Sequence, residues 1–169
     1  MKKIAPLVLL TALSGCDGLY SKPWREGTPV RISSDWDVPV QVDVITTAIT
    51  DRLAQFGIPV SETGMYNIHV SYDARCVCAG CVMNTVAYTT NGINVCASIS
   101  DTVLKTDKGP YLVIGHEVGH ILGLHTHLPA NGKNLMAPVL DYYKDVSGFS
   151  VDDIKAICAS GYVESSVCH

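Results

Sequence analysis

His116-Glu117-Val118-Gly119-His120-Ile121-Leu122-Gly123-Leu124-His125-Thr126-His127 holds four of the six histidines in this 169-residue chain. On a helix, residues four apart project from one face a single turn apart, so His116 and His120 can reach the same ion. Glu117 lies beside them. In the H-E-x-x-H pattern the two imidazoles bind Zn²⁺, and the carboxylate takes a proton from the metal-bound water as it attacks a carbonyl. Chance supplies such a match in on the order of one in a few hundred chains of this length, so the context has to decide. Apolar Tyr111, Leu112, Val113 and Ile114 precede the motif, Gly123 offers a helix end, His125 and His127 follow, and Met136 comes a short loop later.

The whole chain is one domain's worth of sequence, and its hydrophobic content of 47% is enough for a core. Residues 1–15 carry Lys2 and Lys3, then an apolar run too short to span a bilayer, as in a secretory signal. The run ends in Leu13-Ser14-Gly15-Cys16, which resembles the lipobox of bacterial lipoproteins. Cleavage there leaves Cys16 as the lipidated first residue. Asp17 resembles the enterobacterial signal for inner-membrane retention, so the expected location is the cell envelope, on the periplasmic face of the inner membrane in a Gram-negative cell. Removal of residues 1–15 leaves 10 basic against 16 acidic residues, a net charge of −6, which argues against nucleic acid as a partner.

Six cysteines remain after Cys16, and an even count in an oxidising compartment points to disulfides. Cys158 and Cys168 are expected to pair. Cys76, Cys78 and Cys81 with Cys96 could form two more bridges or a four-thiolate zinc site, and the compartment favours bridges.

Taken in order, residues 16–29 read as a lipidated tether and 30–169 as the folded domain. Val30 to Ser33 is a first strand, and Val40 to Phe56 repeats apolar residues at helical spacing until Gly57 and Pro59. Tyr66 to Tyr72 alternates with period two, so a half-buried strand is expected, with His69 on its face. Val82 to Thr90 and Ile93 to Ser98, joined at Asn91-Gly92, form a hairpin signal. Pro110 suits the first turn of the metal-motif helix. Ser150 caps a last helix running to about Ala159, with Asp152 and Asp153 in its first turn and Gly161 beyond its end.

These segments together resemble a small metzincin, specifically a matrixin, the family of the matrix metalloproteinases. Val30-Arg31-Ile32 with Asp37-Val38-Pro39 and the long helix is similar to the family's opening strand, turn and first helix. Tyr66 to Val70 is similar to its next strand, Asn134-Leu135-Met136-Ala137-Pro138 to its Met-turn, and Ser150 to Ile157 to its last helix. The resemblance implies an α+β fold: a mixed twisted sheet with a long N-terminal helix, an active-site helix, a Met-turn and a C-terminal helix. It also implies a zinc endopeptidase in which Glu117 is general base and Met136 floors the metal site. Pro138, Val139 and Leu140 would line a hydrophobic substrate pocket, and the strand around Ile93 to Ala97 would be the edge on which an extended substrate pairs. The family's third histidine falls where this chain has Thr126, between two histidines. A loop absorbs an extra residue more easily than it spans the gap with one fewer, so His127 is the expected third ligand and His125 the alternative.

The expectation is therefore a monomeric, lipid-anchored zinc endopeptidase acting on protein or peptide. The alternative is a catalytically silent lipoprotein of the same fold, acting in binding or assembly.

Overall fold

The computed structural model describes residues 23–35, 42–73, 87–89, 92–96, 108–129, 134–137 and 148–169. The lipobox with Cys16, the turn at 37–39, Cys76, Cys78, Cys81, and Pro138, Val139 and Leu140 lie outside the described residues. In chain order the elements are β1 (Trp24–Arg25), β2 (Val30–Ser34), α1 (Val42–Ala54), β3 (Tyr66–Asp73), β4 (Ala87–Thr89), β5 (Ile93–Cys96), α2 (Gly109–Ile121), α3 (Val151–Ala159) and β6 (Val163–Glu164), with a 3₁₀ turn at Ser166–Cys168. The fold is mixed α+β.

Helix α1 buries Ile45, Ala48, Ile49, Arg52 and Leu53, the spacing of a single helical stripe. Each large aliphatic side chain of that stripe contributes about 1.5–3 kcal/mol by leaving water. The stripe faces α2, which is buried all round from Leu112 to Gly119 and is therefore the central helix of the domain. Both helices share one core with Val30, Ile68, Val70, Ala87, Ile93 and Val95 of the sheet.

That sheet has the strand order β2-β3-β5-β4, with β2, β3 and β5 parallel and β4 antiparallel. Alternation puts a polar row on the face away from the core. There Arg31 Nε donates to Asn67 Oδ1 at 3.2 Å, Ser33 Oγ lies 2.8 Å from His69 Nδ1, and His69 Nε2 lies 3.0 Å from Asp35 Oδ1. His69 is thus a strand-face residue tied to its neighbours. The hairpin forms as Thr89 opposite Ile93, but its second strand is not the edge. Because β5 also pairs in parallel with β3, the edge strand among the described residues is β4, and the expectation that placed it at Ile93 to Ala97 is corrected.

The tether expected through Pro29 is also corrected, because the fold begins by Trp24. Strand β1 pairs in parallel with β6, and the Trp24 ring is 1% exposed with Nε1 donating to Ile121 O at 3.0 Å. Burying so large a ring outweighs the ordering of a few residues that show no periodicity in sequence. Glu26 then accepts from Ser166 N at 2.6 Å, closing the tail onto the start of the domain.

A disulfide joins Cys158 of α3 to Cys168, ten residues on, and Cys96 is also disulfide-bonded. Among the described residues, no helix is long and apolar enough to cross a membrane.

Candidate metal centre

Helix α2 has a proline in its first turn, where the missing N–H costs nothing, and it carries His116, Glu117 and His120 through the core. Two hydrogen bonds and a glycine build its end. Gly123 N donates to His120 O at 3.0 Å, Leu124 N donates to Gly119 O at 3.1 Å, and Gly123 takes φ +100°, a left-handed value that glycine adopts without strain. Any side chain there would also press on Tyr162, whose Cβ lies 2.5 Å from where a Cβ would stand. The chain reverses at this point and returns towards the helix.

The reversal brings His127 to His116 and His120. The three rings form a near-equilateral set, with centroids 4.8, 5.2 and 5.2 Å apart, and one nitrogen from each lies within 4.8 Å of the others. His125 is exposed and points elsewhere, its ring edge-on to Tyr162 at 5.6 Å.

Backbone carbonyls decide how two of the rings present their nitrogens. His116 Nδ1 lies 2.7 Å from Leu135 O, and His120 Nδ1 lies 2.6 Å from Leu124 O. A carbonyl can only accept, so both Nδ1 atoms donate, and both Nε2 atoms are left with lone pairs. Those two lone-pair nitrogens are 3.1 Å apart, facing each other with no proton between them. Two ligands about 2.0–2.1 Å from a tetrahedral ion would stand about 3.3 Å apart, so the pair fits a shared metal. The three histidines could hold a metal ion.

The electrostatics agree with that use. Burial holds His116 well below the usual imidazole range, with the neighbouring His120 adding to the effect. Burial likewise lowers His120 to about 4, and it lowers His127. All three are neutral near pH 7, the form that binds a cation.

Glu117, next to His116 on α2, is fully buried. Its Oε2 accepts from Thr89 Oγ1 at 2.6 Å, whereas Oε1 has no hydrogen-bond partner among the described residues. Burial pushes its carboxyl up to about 7, against the opposing effect of the Thr89 hydrogen bond. A carboxylate in that range can both accept and return a proton near neutral pH.

Met136 is buried beneath α2, and Gly119 makes its room. A Cβ at Gly119 would stand 2.2 Å from Met136 Sδ, which explains a glycine in mid-helix that would otherwise be unfavourable. The loop carrying Met136 is held from α3. Asp153, buried and at the third position of α3, accepts from Ser150 N at 2.8 Å in a capping box, and also from Leu135 N at 2.8 Å and Met136 N at 3.1 Å. In turn Leu128 N donates to Met136 O at 2.8 Å, Asn134 Nδ2 to Pro129 O at 3.2 Å, and Ser150 Oγ to Asn134 Oδ1 at 2.9 Å. His127 therefore sits on a loop pinned on both sides, at Leu124 and at Leu128. Asp152 is exposed, and only its place in the first helical turn gives it a role.

Sequence reasoning missed two of these residues and the reach of a third. Trp24 and Thr89 carried no usable signal, because each acts across a long separation in sequence. Asp153 was legible as a helix-start acid, since Ser150-x-x-Asp153 has capping-box spacing, but its bonds to the Met136 loop were not. The chain matches no protein-family model, and no curated protein matches it.

Proposed function

We propose that this protein is a zinc-dependent endopeptidase of the metzincin type, matrixin-like, held at the cell envelope by lipid on Cys16. The observation that carries the reading is the convergence of His116, His120 and His127 beside a buried carboxylate whose Oε1 has no hydrogen-bond partner among the described residues. His116 and His120 would hold the ion through Nε2, and His127 would supply the third bond. Zn²⁺, when bound, lowers the pKa of a ligated water and polarises a substrate carbonyl.

The chain's own residues do the rest. Glu117 takes a proton from the attacking water and returns it to the leaving amine, a role suited to a carboxyl raised to about 7. Leu135 O and Leu124 O keep the two rings in the ligating tautomer throughout. Strand β4, the outer strand of the sheet among the described residues, reaches Glu117 through Thr89 and is the strand beside which an extended peptide would lie.

Glu117→Gln is the test. The purified exported domain should carry about one zinc per chain in both forms, while cleavage of a broad peptide library falls about 10²–10⁴-fold in the variant. An unchanged cleavage rate, or a domain that takes up no metal, removes the assignment. The second reading, a silent metal-binding lipoprotein, has one observation in its favour: Glu117 is wholly shielded from solvent. Zinc uptake with no cleavage of any library peptide would decide for it.

A further inference from the structure

The two carboxylate oxygens of Glu117 have unlike surroundings. Oε2 is held by Thr89 Oγ1 at 2.6 Å, and Oε1 is buried without a partner among the described residues. Thr89 Oγ1 also lies 3.3 Å from Glu117 O, so one hydroxyl spans the main chain and the side chain of the same residue. A threonine hydroxyl has one proton, and the shorter, charge-assisted bond to the carboxylate takes it. Thr89 is itself well fixed. It closes β4 opposite the fully buried Ile93, and its branched Cβ leaves few rotamers in a strand.

We propose that Thr89 is a positioning residue for the proton transfer: its hydroxyl ties Oε2 to the edge strand and leaves Oε1 as the oxygen that exchanges the proton. In the step concerned, an O–H bond of water breaks and its proton passes to Oε1 while the water oxygen bonds to the carbonyl carbon. The proton then leaves Oε1 for the amine nitrogen as the C–N bond breaks. Thr89 keeps its own proton throughout. The base is thereby joined to β4, so the position of that strand sets where the proton is taken. This rests on the endopeptidase reading for its catalytic part, whereas the Thr89–Glu117 contact is independent of it.

The test compares Thr89→Val, which keeps the shape and removes the donor, with Thr89→Ser, which keeps the donor. In the zinc-loaded protein Thr89→Val should lower kcat about tenfold to a hundredfold, with KM and zinc content unchanged, and Thr89→Ser should recover most of the loss. A second readout uses no turnover. In the metal-free protein Thr89→Val should lower Tm by about 4 °C, and that loss should vanish in a Glu117→Leu background, where no carboxylate remains to be held. Equal Tm losses in both backgrounds, or a Thr89→Val kcat within about twofold of the parent while Glu117→Gln is inactive, would overturn the proposal. A fully active Glu117→Gln protein would instead remove the endopeptidase reading, and the Tm comparison would still decide whether Thr89 holds the carboxylate.

Discussion

Asp153→Asn separates a helix cap from a support of the metal centre. The native carboxylate is buried and accepts three backbone N–H groups, from Leu135 and Ser150 at Oδ2 and from Met136 at Oδ1. In the amide, the oxygen does best at the Oδ2 position, where it keeps two of the three bonds. Its NH₂ group then confronts Met136 N–H across 3.1 Å, donor against donor. One hydrogen bond to a charged group is lost, worth about 1.5–3 kcal/mol, and the two that remain weaken because their acceptor is neutral. A total of about 3 kcal/mol follows, or about 6–12 °C in Tm for a chain of this size. The same substitution loosens two carbonyls that serve the site: Leu135 O, which orients His116, and Met136 O, which holds Leu128 next to His127. Zinc affinity should therefore fall about 10–100-fold. Urea unfolding of the metal-free protein measures the first effect, and zinc titration against a competing chelator measures the second. Asp152→Asn is the control. Exposed in the same turn, it should cost about 0.3–1 kcal/mol through the helix dipole and leave zinc affinity alone. An Asp153→Asn protein with both stability and zinc affinity at parental values would refute the account of how the loop is held.

His127→Ala should abolish tight zinc binding while His125→Ala leaves it near the parental value, since only the former reaches the other two rings; chelator competition on both variants checks this, and the reverse order would move the ligand to His125. Stability of the metal-free protein should rise with pH between about 4 and 6.5. The unfolded chain binds more protons at His116, His120 and His127, whose folded pKa values are lowered, whereas Glu117, raised to about 7, opposes them with a single group. Thermal melts that are flat or fall across that window would contradict the burial of the three rings. Trp24→Phe keeps the aromatic packing but strands Ile121 O, at a cost of about 1–2 kcal/mol; an unchanged urea midpoint would show that the indole bond carries no stability.

Local chemistry wrote some of this structure into neighbouring residues. His116, Glu117 and His120 share a helix, and a separation of four residues puts both imidazoles on one face whatever surrounds them. The stripe of α1 and its end before Gly57, the capping box of Ser150 and Asp153, and the antiparallel pairing of β4 with β5 are likewise set by residues within a few positions of one another. Each of these could be read before any fold was known. The completion of the site could not. Whether His125 or His127 turns inward depends on Gly123 against Tyr162 and on Leu128 N meeting Met136 O, and spacing alone could offer only a preference. The edge passed from β5 to β4 because β3, more than twenty residues earlier, took the other side of β5. Trp24 sits in a stretch with no periodicity, and its burial depends on the end of α2, 97 residues later. Thr89 reads as one β-branched residue among several until the hairpin lays it on Glu117. Helix spacing and caps follow from bond geometry along a few residues. A third ligand, a sheet edge and a held carboxylate depend on which distant surfaces bury each other, and that is decided when the chain packs.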